Sequence, residues 1–84
     1  MRHEPIDEAV AVRADFRGGL VTPLAFRRSG REHQVVHVNA RWVDRSGRHP
    51  RFYFAVTVDN GDVCQLQLRA ADLVWWLDSV TLEG

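Results

Sequence analysis

The sequence predicts an all-β domain: a small antiparallel meander of about six strands, either a curled sheet or a small barrel. Three observations predict it. Apolar and polar residues alternate over short runs, most clearly from Arg51 to Arg69 (RFYFAVTVDNGDVCQLQLR), and successive strand side chains point to opposite faces, so each such run carries one apolar face. Turn-forming stretches separate the runs: Gly18-Gly19, Ser29-Gly30, DRSGRHP and Asp59-Asn60-Gly61-Asp62, rich in residues that supply positive φ or hydrogen-bond their own backbone. The connections are short, which makes consecutive strands antiparallel neighbours.

Residues 1–8 read as a polar lead-in, in which Pro5, Asp7 and Glu8 alternatively open a short helical turn. Val10, Val12, Ala14 and Phe16 alternate with Ala9, Ala11, Arg13 and Asp15, which places a first strand at about 9–17. The second strand lies within 20–29. Pro23 has no amide proton and so belongs at its start or on an edge, and Leu24 and Phe26 share a face. The third and longest strand spans 31–43. Val36, Val38, Ala40 and Trp42 fall on one face and Val35 on the other. Either both faces are partly covered, as in a closed barrel, or a bulge resets the phase.

The polar loop 44–50 leads into the central hairpin, whose register follows from burial. A two-residue Asn60-Gly61 loop would put Phe54 on one face with Gln67. A three-residue loop, Asp59 to Gly61, sets Val56 opposite Cys64, Phe54 opposite Leu66 and Phe52 opposite Leu68. Each large apolar side chain buried contributes roughly 1.5–3 kcal/mol, so the second register is predicted, with a type I turn and Gly61 in the left-handed conformation. Residues 70–74 connect to a last strand over 75–82. Leu73, Trp76, Leu77 and Val80 also match helical spacing, but Val74, Trp75, Trp76, Val80 and Thr81 favour a strand.

The 84 residues make one domain, 1–84, which buries roughly 60% of its unfolded surface. The single cysteine, Cys64, rules out an internal disulfide and reads as a small buried hydrophobe in a reducing compartment. No apolar run approaches the roughly 20 residues of a membrane span, and MRHEPIDEAV lacks signal-peptide order. A cytoplasmic location with no membrane partner is expected. Net charge is zero, yet there is no lysine, and nine of the eleven arginines fall between Arg13 and Arg51 against Asp15, Glu32 and Asp44. Either a GC-rich genome or selection for guanidinium chemistry accounts for this.

Pro23-x2-Phe26, Gly30-Arg31, Val35, Val38, Trp42, Arg51-x-Tyr53-Phe54-x-Val56, Gly61, Leu66 and Trp75-Trp76-Leu77-x2-Val80 occur in an order that resembles a family of short bacterial domains of unknown function. More loosely, they resemble the C-terminal tail of inactive Y-family DNA polymerase homologues from bacterial mutagenesis cassettes. The resemblance covers roughly residues 22–82. It implies a small β domain near DNA-repair machinery and brings no catalytic residue. The chain departs from it near Arg28 and His33, where the family carries aromatics.

Chemistry beyond binding finds little support. His33 and His37 are four residues apart, roughly 13 Å on a strand at about 3.3 Å per residue, too far for two zinc ligands each about 2.1 Å from a metal. No nucleophile motif, phosphate-binding glycine loop or flanking carboxylate pair is present. The expectation is a non-enzymatic protein with no metal and no cofactor. Two binding readings remain. The adjacent Trp75 and Trp76 face opposite ways on a strand, so one is available for a protein partner or a second copy. The outward face of the central hairpin sets Tyr53 among Arg51, Arg69, Gln65 and Gln67, a base-stacking platform, while Arg27, Arg28, Arg31, Arg41, Arg45 and Arg48 are candidates to track the phosphates of a single strand. A protein-directed or self-associating module is the first expectation and single-stranded nucleic-acid binding the alternative.

Overall fold

The computed structural model describes residues 2–83, and these form six antiparallel strands that close into a barrel in the order β1-β2-β3-β4-β5-β6. The strands are β1 (Arg2–Arg17), β2 (Leu20–Arg28), β3 (Arg31–Asp44), β4 (Arg51–Val58), β5 (Val63–Arg69) and β6 (Val74–Leu82). β1 closes the ring: its first half pairs with β6 and its second half with β2. All-β architecture and six-strand meander are as predicted, and the closed barrel is the outcome of the two shapes left open.

The central hairpin adopts the register that burial demanded. Phe52 faces Leu68, Phe54 faces Leu66 and Val56 faces Cys64. The Val58 amide donates to the Asp62 carbonyl at 3.0 Å, the Gly61 amide donates to the Val58 carbonyl at 2.9 Å, and Gly61 sits at φ +91°. Only a residue without Cβ takes that conformation cheaply. The inward row of this hairpin, joined by Phe26, Trp75, Leu77 and Val80, is the core.

Three expectations change, and the last strand stands as predicted. Residues 2–8 are not a lead-in but the first half of β1, with Arg2 opposite Leu82 and Glu4 opposite Val80; Met1 lies outside the described residues. Leu24 and Phe26 do not share a face. Leu24 is the extra residue of a bulge, because Arg13 pairs with Ala25 and Ala14 with Pro23, and the bulge turns Leu24 outward while Phe26 stays buried. In β3 the phase is reset twice, at Val36 and at Asn39. Val35 and Val38 therefore both pack on the core, while Val36 and Trp42 are exposed. Asn39 is pinned outside by its Nδ2, which donates to Thr57 Oγ1 at 2.9 Å. Finally, 70–82 contains no helix. In β6 an extra residue, Asp78, lies between Leu77 (opposite Leu66) and Ser79 (opposite Gln65). Bulges bend strands and sharpen their twist, which closes six strands around so small a core.

Cys64 is buried at the inner face of β5. Burial pushes its thiol up to about 11, with Asp62 acting in the same direction and Arg28 partly offsetting them. The folded value lies above the ordinary 9.0, so this contribution to stability is fully present below pH 9.0 and is lost as pH rises through about 11. Iodoacetamide at pH 8 is therefore expected to leave Cys64 unmodified in the folded chain and to alkylate it fully in denaturant. Rapid alkylation without denaturant would show that the β4–β6 side of the barrel opens locally.

Candidate binding surface at the arginine-rich end

Alternating turns place the loops at 18–19, 45–50 and 70–73 at one end of the barrel, and those at 29–30 and 59–62 at the other. Charge follows this axis. Arg17, Arg41, Arg45, Arg48, Arg51 and Arg69 gather at the first end with only Asp15, Asp44 and Asp72. The other end holds Arg2, Arg27, Arg28 and Arg31 against Glu4, Glu8, Glu32, Asp59, Asp62 and Glu83. A chain with no net charge thus folds into a body with one basic and one acidic end.

The basic end is also the less neutralised one. Ion pairs join Arg2 to Glu4 (3.1 Å), Arg13 to Glu32 (3.8 Å), Arg17 to Asp15 (3.6 Å) and Arg28 to Glu8 (2.9 Å). Among the described residues, Arg41, Arg45, Arg48, Arg51 and Arg69 have no carboxylate within 4.0 Å. The aspartates nearby are engaged by backbone. Asp44 accepts from the Ser46 amide at 2.9 Å and hydroxyl at 2.7 Å, which hold its carboxyl below the ordinary 3.8. That contribution is in place above pH 3.8 and fades as pH falls. Asp72 accepts from the Val74 amide at 3.1 Å. Arg48, Arg51 and Arg69 line one cleft with His49 and Pro50, of about 380 Å³.

Apolar side chains concentrate at the same end. Phe16 is 67% exposed, Leu20 51%, Trp42 43%, Val43 42% and Leu73 74%. Leu73 is held at φ 59°, a conformation that costs a residue with a Cβ about 1–2 kcal/mol. Trp42 and Tyr53 stack face to face, ring centroids 5.4 Å apart and planes 7° apart. Beside them a cleft of about 310 Å³ runs between the β1–β2 turn and the β3–β4 hairpin, floored by Phe52 and Phe54 and flanked by Arg41 and Arg45. The Arg41 Nη1 donates to the Val21 carbonyl at 2.8 Å across it, and its guanidinium lies 5.8 Å from the Phe54 ring centre.

The predicted site residues separate under this geometry. Tyr53, Arg51, Arg69, Arg41, Arg45 and Arg48 share the basic end. Arg27, Arg28 and Arg31 do not: they lie around the β2–β3 turn, and Arg28 is held by Glu8. Gln67 is 4% exposed, with Nε2 donating to Asp78 Oδ1 at 3.0 Å and Oε1 accepting from Arg69 Nε at 2.8 Å; it is a buried strut, not a contact residue. Trp75 is in the core, tilted against Phe54, and so is withdrawn from any interface. Trp76 faces outward, but the Arg69 guanidinium covers its ring at 4.3 Å, and its Nε1 is buried without a hydrogen-bond partner among the described residues. Phe16, Leu20, Trp42, Val43 and Leu73 were not singled out from sequence. Leu73, an apolar residue inside a turn, was the one legible signal.

His33 stacks on Phe26 at 5.1 Å, and the His37 ring lies 2.6 Å from Asn39 Oδ1. Among the described residues no three His, Cys, Asp or Glu side chains gather as a metal site. No family model matches the chain, and no curated protein and no solved structure matches it.

Proposed function

We propose that this chain is a non-enzymatic binding module whose working surface is the arginine-rich end of the barrel and whose partner is a protein. One observation carries the reading: large apolar side chains and unpaired guanidinium groups are concentrated together there. Exposed apolar patches mark interaction sites, and aromatics and arginine are the residues enriched at interface cores. The strained, outward Leu73 adds to it, because folding alone gains nothing from a leucine in that conformation.

The test uses a photo-crosslinking phenylalanine derivative placed at Phe16, with Val36, exposed far from this end, as the comparison site. Protein adducts are expected from position 16 and not from position 36, and they should be lost in Leu73→Gly. That substitution removes the side chain and relieves the positive φ, so its melting temperature is expected to be unchanged or higher. Equal labelling at both positions would overturn the reading.

The parallel Trp42–Tyr53 stack favours a second reading, single-stranded nucleic acid. The Arg51 and Arg69 pair lies one step along the same outer face, and a base on the exposed Trp42 ring gains about 1–3 kcal/mol. The likeness to polymerase-homologue tails points the same way. An oligothymidylate would then bind with steep salt dependence and lose roughly tenfold or more in Trp42→Ala. No binding at low salt removes this alternative.

A further inference from the structure

Pairing between β2 and β3 is confined to Ala25–Arg28 against Arg31–Gln34. Beyond it the two strands splay around the 310 Å³ cleft. The β3 stretch Ala40–Asp44 lies past both bulges and pairs with β4 without a break, from Ala40 opposite Ala55 to Asp44 opposite Arg51. Among the described residues, no strand pairs with its other edge. We infer that this edge takes an extended segment of a partner protein as an added strand, and that the segment carries apolar residues together with carboxylates. The inference rests on the protein-binding reading above and states how the partner is held.

The opposing edges differ in what they offer. On β2, Pro23 lacks a donor and the Val21 carbonyl already accepts from Arg41, so that edge is blunted. In the five-residue β3 stretch alternate residues turn their N–H and C=O groups to the open side, the others being paired with β4, and the stretch spans about 17 Å at roughly 3.4 Å per residue. A strand laid there meets Val43 and Phe52 on its inner face and Trp42 on its outer face, with Arg41 and Arg45 at hand. Main-chain bonds would give the affinity and these side chains the selectivity. The guanidinium groups also choose the occupant. Two copies paired edge to edge would bring Arg41 and Arg45 of each against the other, a like-charge contact that disfavours self-pairing, whereas aspartate or glutamate neutralises them.

The experiment is amide hydrogen exchange on the full chain with three probes: a ten-residue peptide of alternating valine and glutamate, one of alternating valine and lysine, and an oligothymidylate of ten. The valine–glutamate peptide is expected to slow exchange at residues 40–44 at least tenfold, and Arg45→Glu to weaken its binding at least tenfold with an unchanged melting temperature. Equal binding of the lysine peptide, or protection produced only by the oligonucleotide, would overturn the proposal. If the glutamate peptide fails to protect 40–44 while position 16 still yields protein adducts, strand addition alone is wrong. Loss of both results removes the binding end itself.

Discussion

Truncating Leu66 to alanine is expected to cost about 3–5 kcal/mol, the upper part of the range for buried leucines. Leu66 is fully buried at the middle of β5 and stands between Phe54 on β4 and Leu77 on β6. The cost depends on whether the surroundings can collapse into the space left. Here they cannot easily do so, because every neighbour hangs from a ring of strands paired on both sides, and moving one inward breaks ladder hydrogen bonds. A chain of this length has total stability of about 4–13 kcal/mol, so the variant should stand near its unfolding threshold. Urea denaturation would show a large fall in midpoint at an unchanged slope. Val36→Ala, on an exposed bulge, should stay within about 0.5 kcal/mol. A Leu66→Ala cost below about 1 kcal/mol would mean that the barrel is not packed around this layer.

The same packing explains which parts of the fold were legible in the sequence. Phe52 to Leu68 could be read because one register alone turns Phe52, Phe54, Val56, Val58, Cys64, Leu66 and Leu68 to the same side, and burial outweighs the choice of turn. Elsewhere bulges rewrote the pattern. In β6 the inward residues are Trp75, Leu77 and Val80, a spacing of two and then three, because Asp78 is inserted. That spacing imitates a helix. In β3 the insertions at Val36 and Asn39 bring Val35 and Val38 to one side, which no fixed period contains. The first half of β1 was hidden differently: Arg2, His3, Asp7 and Glu8 face water, and only Ile6 packs inward, so nothing alternates strongly enough to mark a strand. The candidate surface was half legible for a related reason. Arginine positions can be counted, but which of them share an end, and which carboxylates are already taken, depends on pairing across the barrel.

Asp78→Ala is expected to cost about 1–3 kcal/mol, through a chain of contacts that reaches the basic end. Asp78 accepts from Gln65 Nε2 at 3.1 Å and from Gln67 Nε2 at 3.0 Å. Without it the buried Gln67 amide has no acceptor, and a stranded buried donor bears its full desolvation cost. The loss then propagates. Gln67 Oε1 is what holds Arg69 Nε, and Arg69 in turn lies over Trp76. Once Gln67 is free to turn, the guanidinium is released and the Trp76 ring is uncovered, so a red shift in tryptophan emission should accompany the stability loss. Asp78→Asn keeps one acceptor oxygen and should lose less. Replacing Gln67 and Asp78 together by leucine removes donor and acceptor at once and should be closer to neutral than either single change. If the double variant is as unstable as the sum of the two, Asp78 acts through strand geometry at its bulge, and the network that orders Arg69 is incidental.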